Sequence, residues 1–302
     1  MIIVPKSPVL RDEDRQGVWV PDIYAVGRAK QSGIKPIDLT AEALDNRVTY
    51  AGPSHSYLAS DSTMKQSTAN QWPLEYRNGV AVGRHEPEKA SLNYVPGVEY
   101  GSIAQAGAGA VDWNYGTTGT PTVVTSDMGI ATAISTKTGA LTAVYSESSN
   151  TFIAAAQDGG PPTAWTRIKR QFTNNAQALL RWYVARVSGT DYLLARCAAV
   201  PAGSFTASVY RKVTDTGLLS AGAQLEAGDI VTSPIISPTG IQASRPASTV
   251  TLKRDGNATS AIVHFSNNET LTLPFNGADS VSIPVSTLDW GSRYMTRIEY
   301  EA

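Results

Sequence analysis

Apolar and polar positions along the chain fall into short runs with a period near two, separated by turn-forming residues. The runs LTAVYS (Leu141–Ser146), TFIAAA (Thr151–Ala156), ALLRWYVARV (Ala178–Val187), YLLARCAAV and SFTASVYRKV read as strands, as do SAIVHFS and ETLTLPF further on. Between them stand NNA, SGT, PAG, DTG and DGN, which supply Gly or Asn for backbone positions with φ > 0. Helical periodicity is scarce. The clearest helix signal is TAEALDNRV, where Thr40 is placed to cap and Ala41 to Leu44 favour a turn or two. The pattern predicts an all-β protein of sandwich or barrel type.

The density of this pattern divides the chain into three. Residues 1–94 are strand-poor, polar and interrupted by Pro5, Pro8, Pro21 and Pro36, so they are expected to lean on another body rather than fold alone. Residues 95–246 carry the densest strands and predict an independent β-sandwich. After the linker SPTGIQASRPAS, residues 247–302 form a small β unit that is marginal by itself and calls for docking or oligomerisation.

Composition narrows the chemistry. The 25 Lys and Arg nearly cancel the 26 Asp and Glu, giving no electrostatic reason to expect nucleic acid as a partner. No run reaches the length of an apolar membrane span, and MIIVPKSPVLRDEDRQG lacks the layout of a secretory signal, because Pro5 follows four apolar residues. The lone Cys197 excludes an intrachain disulfide and sites built from several thiolates. His55, His85 and His264 are far apart. His264 reads as a half-exposed structural residue of a strand, and His85, in VGRHEPEK, as part of a solvated loop. No nucleophile elbow, zinc-protease motif, phosphate loop or calcium loop is present, and AGAGAVDWNYGTTGT has glycines at the wrong spacing for a dinucleotide cradle. No catalytic residue, cofactor or metal is therefore expected. Paired carboxylates for glycoside hydrolysis need only meet in space, so Asp112, Asp158, Asp191 and Glu226 keep a depolymerase open as the minor reading.

Aromatic residues give the stronger binding signal. Trp113 and Tyr115 lie between Gly-rich arms, and Trp182 and Tyr183 lie in a predicted strand. Exposed ring faces stack on sugars, so these four are the candidate glycan contacts. The competing role is sandwich core, which weighs more heavily for Trp165 and Trp182 than for the two loop aromatics. In the arm, Trp19, Ile23 and Tyr24 are apolar anchors that need a partner surface, which makes them candidate docking residues.

GAQLEAG (Gly222–Gly228), with the following TSPIISPTG and SRPAS, resembles the end of a carbohydrate-binding-module-like jelly roll in tailed-bacteriophage fibre and virion proteins. TAWTRIKRQFT is similar to that family's Trp-containing strand, and residues 54–95 to the segment that precedes such modules, with Glu86-Pro87 and Leu92-Asn93 at matching positions. The resemblance covers most of residues 50–302. It implies an all-β virion protein with an extended N-terminal attachment arm, a central lectin-like jelly roll and a small C-terminal β domain. The implied role is non-catalytic adhesion to a host surface glycan as part of a tail or head fibre. A capsid or tail decoration (cement) protein is the alternative. Other virion proteins are the implied partners, and a homotrimer is the expected assembly, without membrane insertion. On this reading Glu226 belongs to a closing strand, with Gln224 on its face and Leu225 opposite.

Overall fold

The computed structural model describes residues 33–94, 122–124, 133–136, 154–157, 166–174, 182–187, 190–195, 201–214, 217–236 and 242–302. Among them every regular element is a strand, all pairings between strands are antiparallel, and there is no helix. The upstream segment contributes β1 (Ile37–Asp38), β2 (Val48–Ala51), β3 (Ser56–Leu58), β4 (Met64–Gln66), β5 (Glu75–Arg77), β6 (Val80–Gly83) and β7 (Ser91–Asn93). The central segment contributes β8 (Thr122–Val124), β9 (Ala133–Thr136), β10 (Ala154–Gln157), β11 (Thr166–Asn174), β12 (Trp182–Val187), β13 (Thr190–Ala195), β14 (Gly203–Thr214) and β15 (Gly217–Ala227). The last segment contributes β16 (Ala243–Arg245), β17 (Thr249–Lys253), β18 (Ser260–Phe265), β19 (Thr270–Pro274), β20 (Ser280–Ile283) and β21 (Met295–Glu301).

The C-terminal strands close their core with upstream help. One sheet runs β1-β21-β18-β19 and the other β2-β17-β20, so each contains one strand from before residue 52. The two sheets share one core. In β2, Val48 and Tyr50 point inward while Thr49 and Ala51 are exposed, and in β17 Val250 and Leu252 do the same. This is the period-two alternation of a half-buried strand. Ile37, Leu39, Ala261, Val263, Met295 and Ile298 fill the opposing face. A unit of residues 247–302 would lack Ile37, Leu39, Val48, Tyr50 and Trp72, which is the physical reason it draws on the upstream segment.

Turn chemistry follows the residues. Asn78-Gly79 (φ 52° and 76°) joins β5 to β6, and Asn276-Gly277 (φ 51° and 82°) turns the chain after β19, both with the paired positive φ values of a type I′ turn. Gly83 has a different reason. Its φ is +117°, and a Cβ there would stand 2.2 Å from the Met295 carbonyl oxygen. The close approach lets Arg84 and Met295 exchange backbone hydrogen bonds of 3.0 and 2.8 Å, tying the β5–β6 hairpin to the sandwich.

The short helix expected after Thr40 does not form. Asp38 Oδ1 accepts from the Thr40 amide (2.8 Å) and hydroxyl (2.6 Å), while Asp45 Oδ1 accepts from the Arg47 amide (2.9 Å). The Ala41 and Glu42 carbonyls accept from Arg84 Nη2. Side chains thus take the backbone groups that a helix would have used.

Centrally, one sheet runs β11-β14-β15-β9-β8 and a second β10-β13-β12. GAQLEAG lies in β15, with Ala207 opposite Leu225, Thr206 opposite Glu226 and Ser208 opposite Gln224. Phe205, Ala207 and Leu225 form a buried apolar face, and Thr206, Ser208, Gln224 and Glu226 form an equally buried polar one. Polar groups buried on such a face call for partners, which Thr206, Gln224 and Glu226 find and the Ser208 hydroxyl does not.

Candidate functional site

The polar face of β14–β15 meets residues 231–235, VTSPI, and both are covered by the upstream segment. Glu226, with no exposed surface, accepts hydrogen bonds from Ser91 Oγ (2.5 Å), Gln224 Nε2 (2.5 Å), the Thr232 amide (3.0 Å) and the Thr232 hydroxyl. Gln224 Oε1 accepts from the Ile235 amide at 2.7 Å. On the other side of the strand, Asn93 Oδ1 accepts from the Leu225 amide (3.0 Å) and its Nδ2 donates to the Ile235 carbonyl (3.3 Å).

A second buried carboxylate holds the next residue. Glu88 accepts from the Ser233 amide (2.5 Å) and hydroxyl (2.7 Å), from His55 Nδ1 (2.9 Å), and faces Arg245 Nη1 at 3.2 Å. Arg245 Nη1 also donates to the Ser233 carbonyl and hydroxyl. Burial opposes the charge on Glu88, but Arg245 and His55 together outweigh it and hold the carboxyl well below the usual carboxylate range. The Pro234 carbonyl accepts from Ser56 Oγ (2.6 Å), the Thr232 carbonyl from Arg167 Nη1 (2.8 Å), and the Val231 carbonyl from the Trp290 amide (2.8 Å). Residues 231–235 are loop backbone in the interior, kept there because each part of the chain supplies partners.

A third cluster adjoins this joint. Glu86 pairs with Arg293 (Nη2 at 2.7 Å and Nε at 2.9 Å). His85 is buried, which corrects the expected solvated loop: its Nδ1 donates to the Glu86 carbonyl (3.1 Å) and its Nε2 accepts from the Gly291 amide (3.1 Å). Burial pushes its pKa down, in keeping with this neutral tautomer. His264 sits half-buried in its strand, with Nε2 3.1 Å from Glu299.

Glu75, Glu86 and Glu88 converge with His55 and His85 on one internal space, an arrangement that in an open cleft would suggest acid–base chemistry. The space is about 10 Å³, the room of a single water, so no substrate fits between them. Among the described residues, no group of three or more His, Cys, Asp or Glu could hold a metal ion. No helix among them is long and apolar enough to cross a membrane.

Burial pushes the Glu75 carboxyl up to about 8, against the Leu58 amide that donates to it. The folded state therefore holds a proton that the unfolded state releases near its ordinary value of 4.5. Stability contributed by neutral Glu75 is fully present below that value and is lost as pH rises through about 8. Glu75→Gln is expected to remove this fall, leaving the variant more stable than the parent by about 2 kcal/mol at alkaline pH. Urea unfolding of both proteins across this range checks it, and parallel pH profiles would disprove it.

Of the residues expected to touch ligand or partner, Trp182 and Tyr183 lie on β12, in register with Ala195 and Leu194. Trp113, Tyr115, Trp19, Ile23 and Tyr24 lie outside the described residues. Among the carboxylates expected as hydrolase alternatives, Glu226 is enclosed, Asp191 lies on β13 opposite Arg186, and Asp112 and Asp158 lie outside the described residues. The sequence reading missed Glu88, His55, Arg245 and Ser233. They stand up to 190 positions apart, and only the polar tail TSP after a strand hinted that buried partners were needed. No family model, curated protein or solved structure matches the chain.

Proposed function

We propose that this chain is a structural protein of a tailed-bacteriophage particle, a tail or head fibre component whose central sheets form a lectin-like jelly roll that adheres to host surface glycans. The observation that carries the reading is the joint at residues 231–235. There the closing strand of the central region is fixed by Glu226 and Glu88 between strands from both flanks. Such a joint suits a module held out on a rigid base, where force on the module passes into packed sheets. The N-terminal attachment region (residues 1–94) docks on the particle through Trp19, Ile23 and Tyr24, and a homotrimer multiplies weak sugar contacts. The enclosed carboxylates favour binding over hydrolysis, since the acids gathered here lack space for a substrate.

Mass spectrometry of purified particles is expected to find this chain as a structural component, and its absence from them would end the proposal. Purified protein is expected to adsorb to host cells, with Trp113→Ala lowering adsorption about tenfold, the loss of roughly one good stacking contact. Particles that lack the chain, adsorb normally and break on heating would instead identify a cement protein.

A further inference from the structure

Separate from the central aromatics, the upstream segment forms an open groove of about 370 Å³ on the surface of the protein. At its base lies Trp72, buried, with its ring stacked parallel to Tyr50 (5.8 Å between centroids), the Arg84 guanidinium 5.8 Å from the ring centre, and its Nε1 donating to the His85 carbonyl at 3.0 Å. Tyr57 on β3 and Tyr76 on β5 stand at the groove, half-exposed, and neither ring pairs with another ring among the described residues.

Its polar groups are set outward by their own bonds. Asn70 Oδ1 accepts from the Gly52 amide (3.1 Å), and Gln71 Oε1 accepts from the Thr68 hydroxyl (3.1 Å). Both amide NH₂ groups are left without a protein partner among the described residues, on side chains that are exposed. The Glu42 carboxylate is exposed and makes no ion pair among the described residues. Arg84, buried beneath, gives Nη1 and Nη2 to the Trp72, Ala41 and Glu42 carbonyls, faces no carboxylate, and has an Nε–H without an acceptor.

From this combination we infer that the groove is a second carbohydrate site, for a neutral pyranose disaccharide or short oligosaccharide. The half-exposed rings of Tyr57 and Tyr76 suit the apolar face of a sugar, while amide donors and a carboxylate acceptor suit its hydroxyls. The two charges at the groove, Glu42 and Arg84, are of opposite sign, so the site favours a neutral sugar over an acidic one. Its volume falls within the range of small-ligand clefts. The inference deepens the adhesion reading, on which it rests only for the biological source of the sugar. A fixed floor on the rigid base would give the particle a contact independent of the central loops.

Saturation-transfer NMR of the full-length protein with maltose, lactose and cellobiose, and with a uronic-acid disaccharide as the charged arm, tests it. At least one neutral disaccharide is expected to bind with Kd of about 1–10 mM. Tyr76→Ala is expected to weaken that binding about tenfold, and Gln71→Ala several-fold. Gln71 is exposed, so its variant reads the site even if the half-buried Tyr76 change disturbs folding. Failure of every neutral probe to bind, binding unaltered in both groove variants, or tighter binding of the uronic acid would each overturn the inference. The presence of the chain in purified particles is decided separately by mass spectrometry, so the two readings fail independently.

Discussion

Glu88→Ala is expected to destabilise the protein by about 3–5 kcal/mol, the largest effect of any single substitution considered. The change leaves the Arg245 guanidinium buried without its carboxylate, and the Ser233 amide without an acceptor. Arg245 and Glu88 are each about 5 % exposed or less, so water cannot replace the lost partner. A double variant, Glu88→Gln with Arg245→Met, removes both charges and is expected to recover at least half of the loss. Urea unfolding of Glu88→Gln, Arg245→Met and the double variant closes the cycle, with Glu88→Ala giving the reference loss. A Glu88→Ala cost below about 1 kcal/mol would mean that the joint is open to solvent, because exposed ion pairs are worth no more than that. Acid gives the same reading without mutation. Glu88 titrates below its unfolded value, so its stabilisation is present above the ordinary carboxylate range and is lost as pH falls below it and on through the depressed folded value.

The second large effect is expected at Glu226. Glu226→Ala leaves the Thr232 amide, the Thr232 hydroxyl and the Ser91 hydroxyl without their shared acceptor, at a position with no exposed surface. A loss of about 2–4 kcal/mol is expected, since each unsatisfied buried donor costs about 1–3 kcal/mol and the cavity relaxes in part. The change should also be local. Residues 229–236 are held mainly by side chains rather than by a sheet ladder, so they are expected to become the first site of protease cleavage in the variant. Limited proteolysis with mass analysis of the fragments checks this. Cleavage elsewhere, with the tail still protected, would show that Glu226 is not what fixes it.

Much of the β architecture was legible in the chain because strand periodicity is a local property. SAIVHFS and ETLTLPF became β18 and β19, and SFTASVYRKV became most of β14, as their alternation required. DGN marked a turn for the same reason: Gly256 takes the φ > 0 position (φ 55°) itself. TAEALDNRV failed because its helix propensity was weak beside the side-chain acceptors at Asp38 and Asp45 and the donor at Arg84, the last more than 40 positions away. His85 was misread for a related reason. VGRHEPEK is polar as a string, but its charges are spent inward, on Arg293, Arg245 and His55.

Alternation along the chain was enough to show a protein built of strands separated by turn residues, and to place Gln224 and Glu226 on one face with Leu225 opposite. These follow from residue period, turn chemistry and spacing, which act over a few positions. That β1 and β2 complete the C-terminal sheets, and that Glu88 and Glu226 both bind VTSPI, emerged from long-range contacts alone. Those outcomes depend on burial. A carboxylate becomes a clamp only once water is gone and donors from distant segments are its remaining partners.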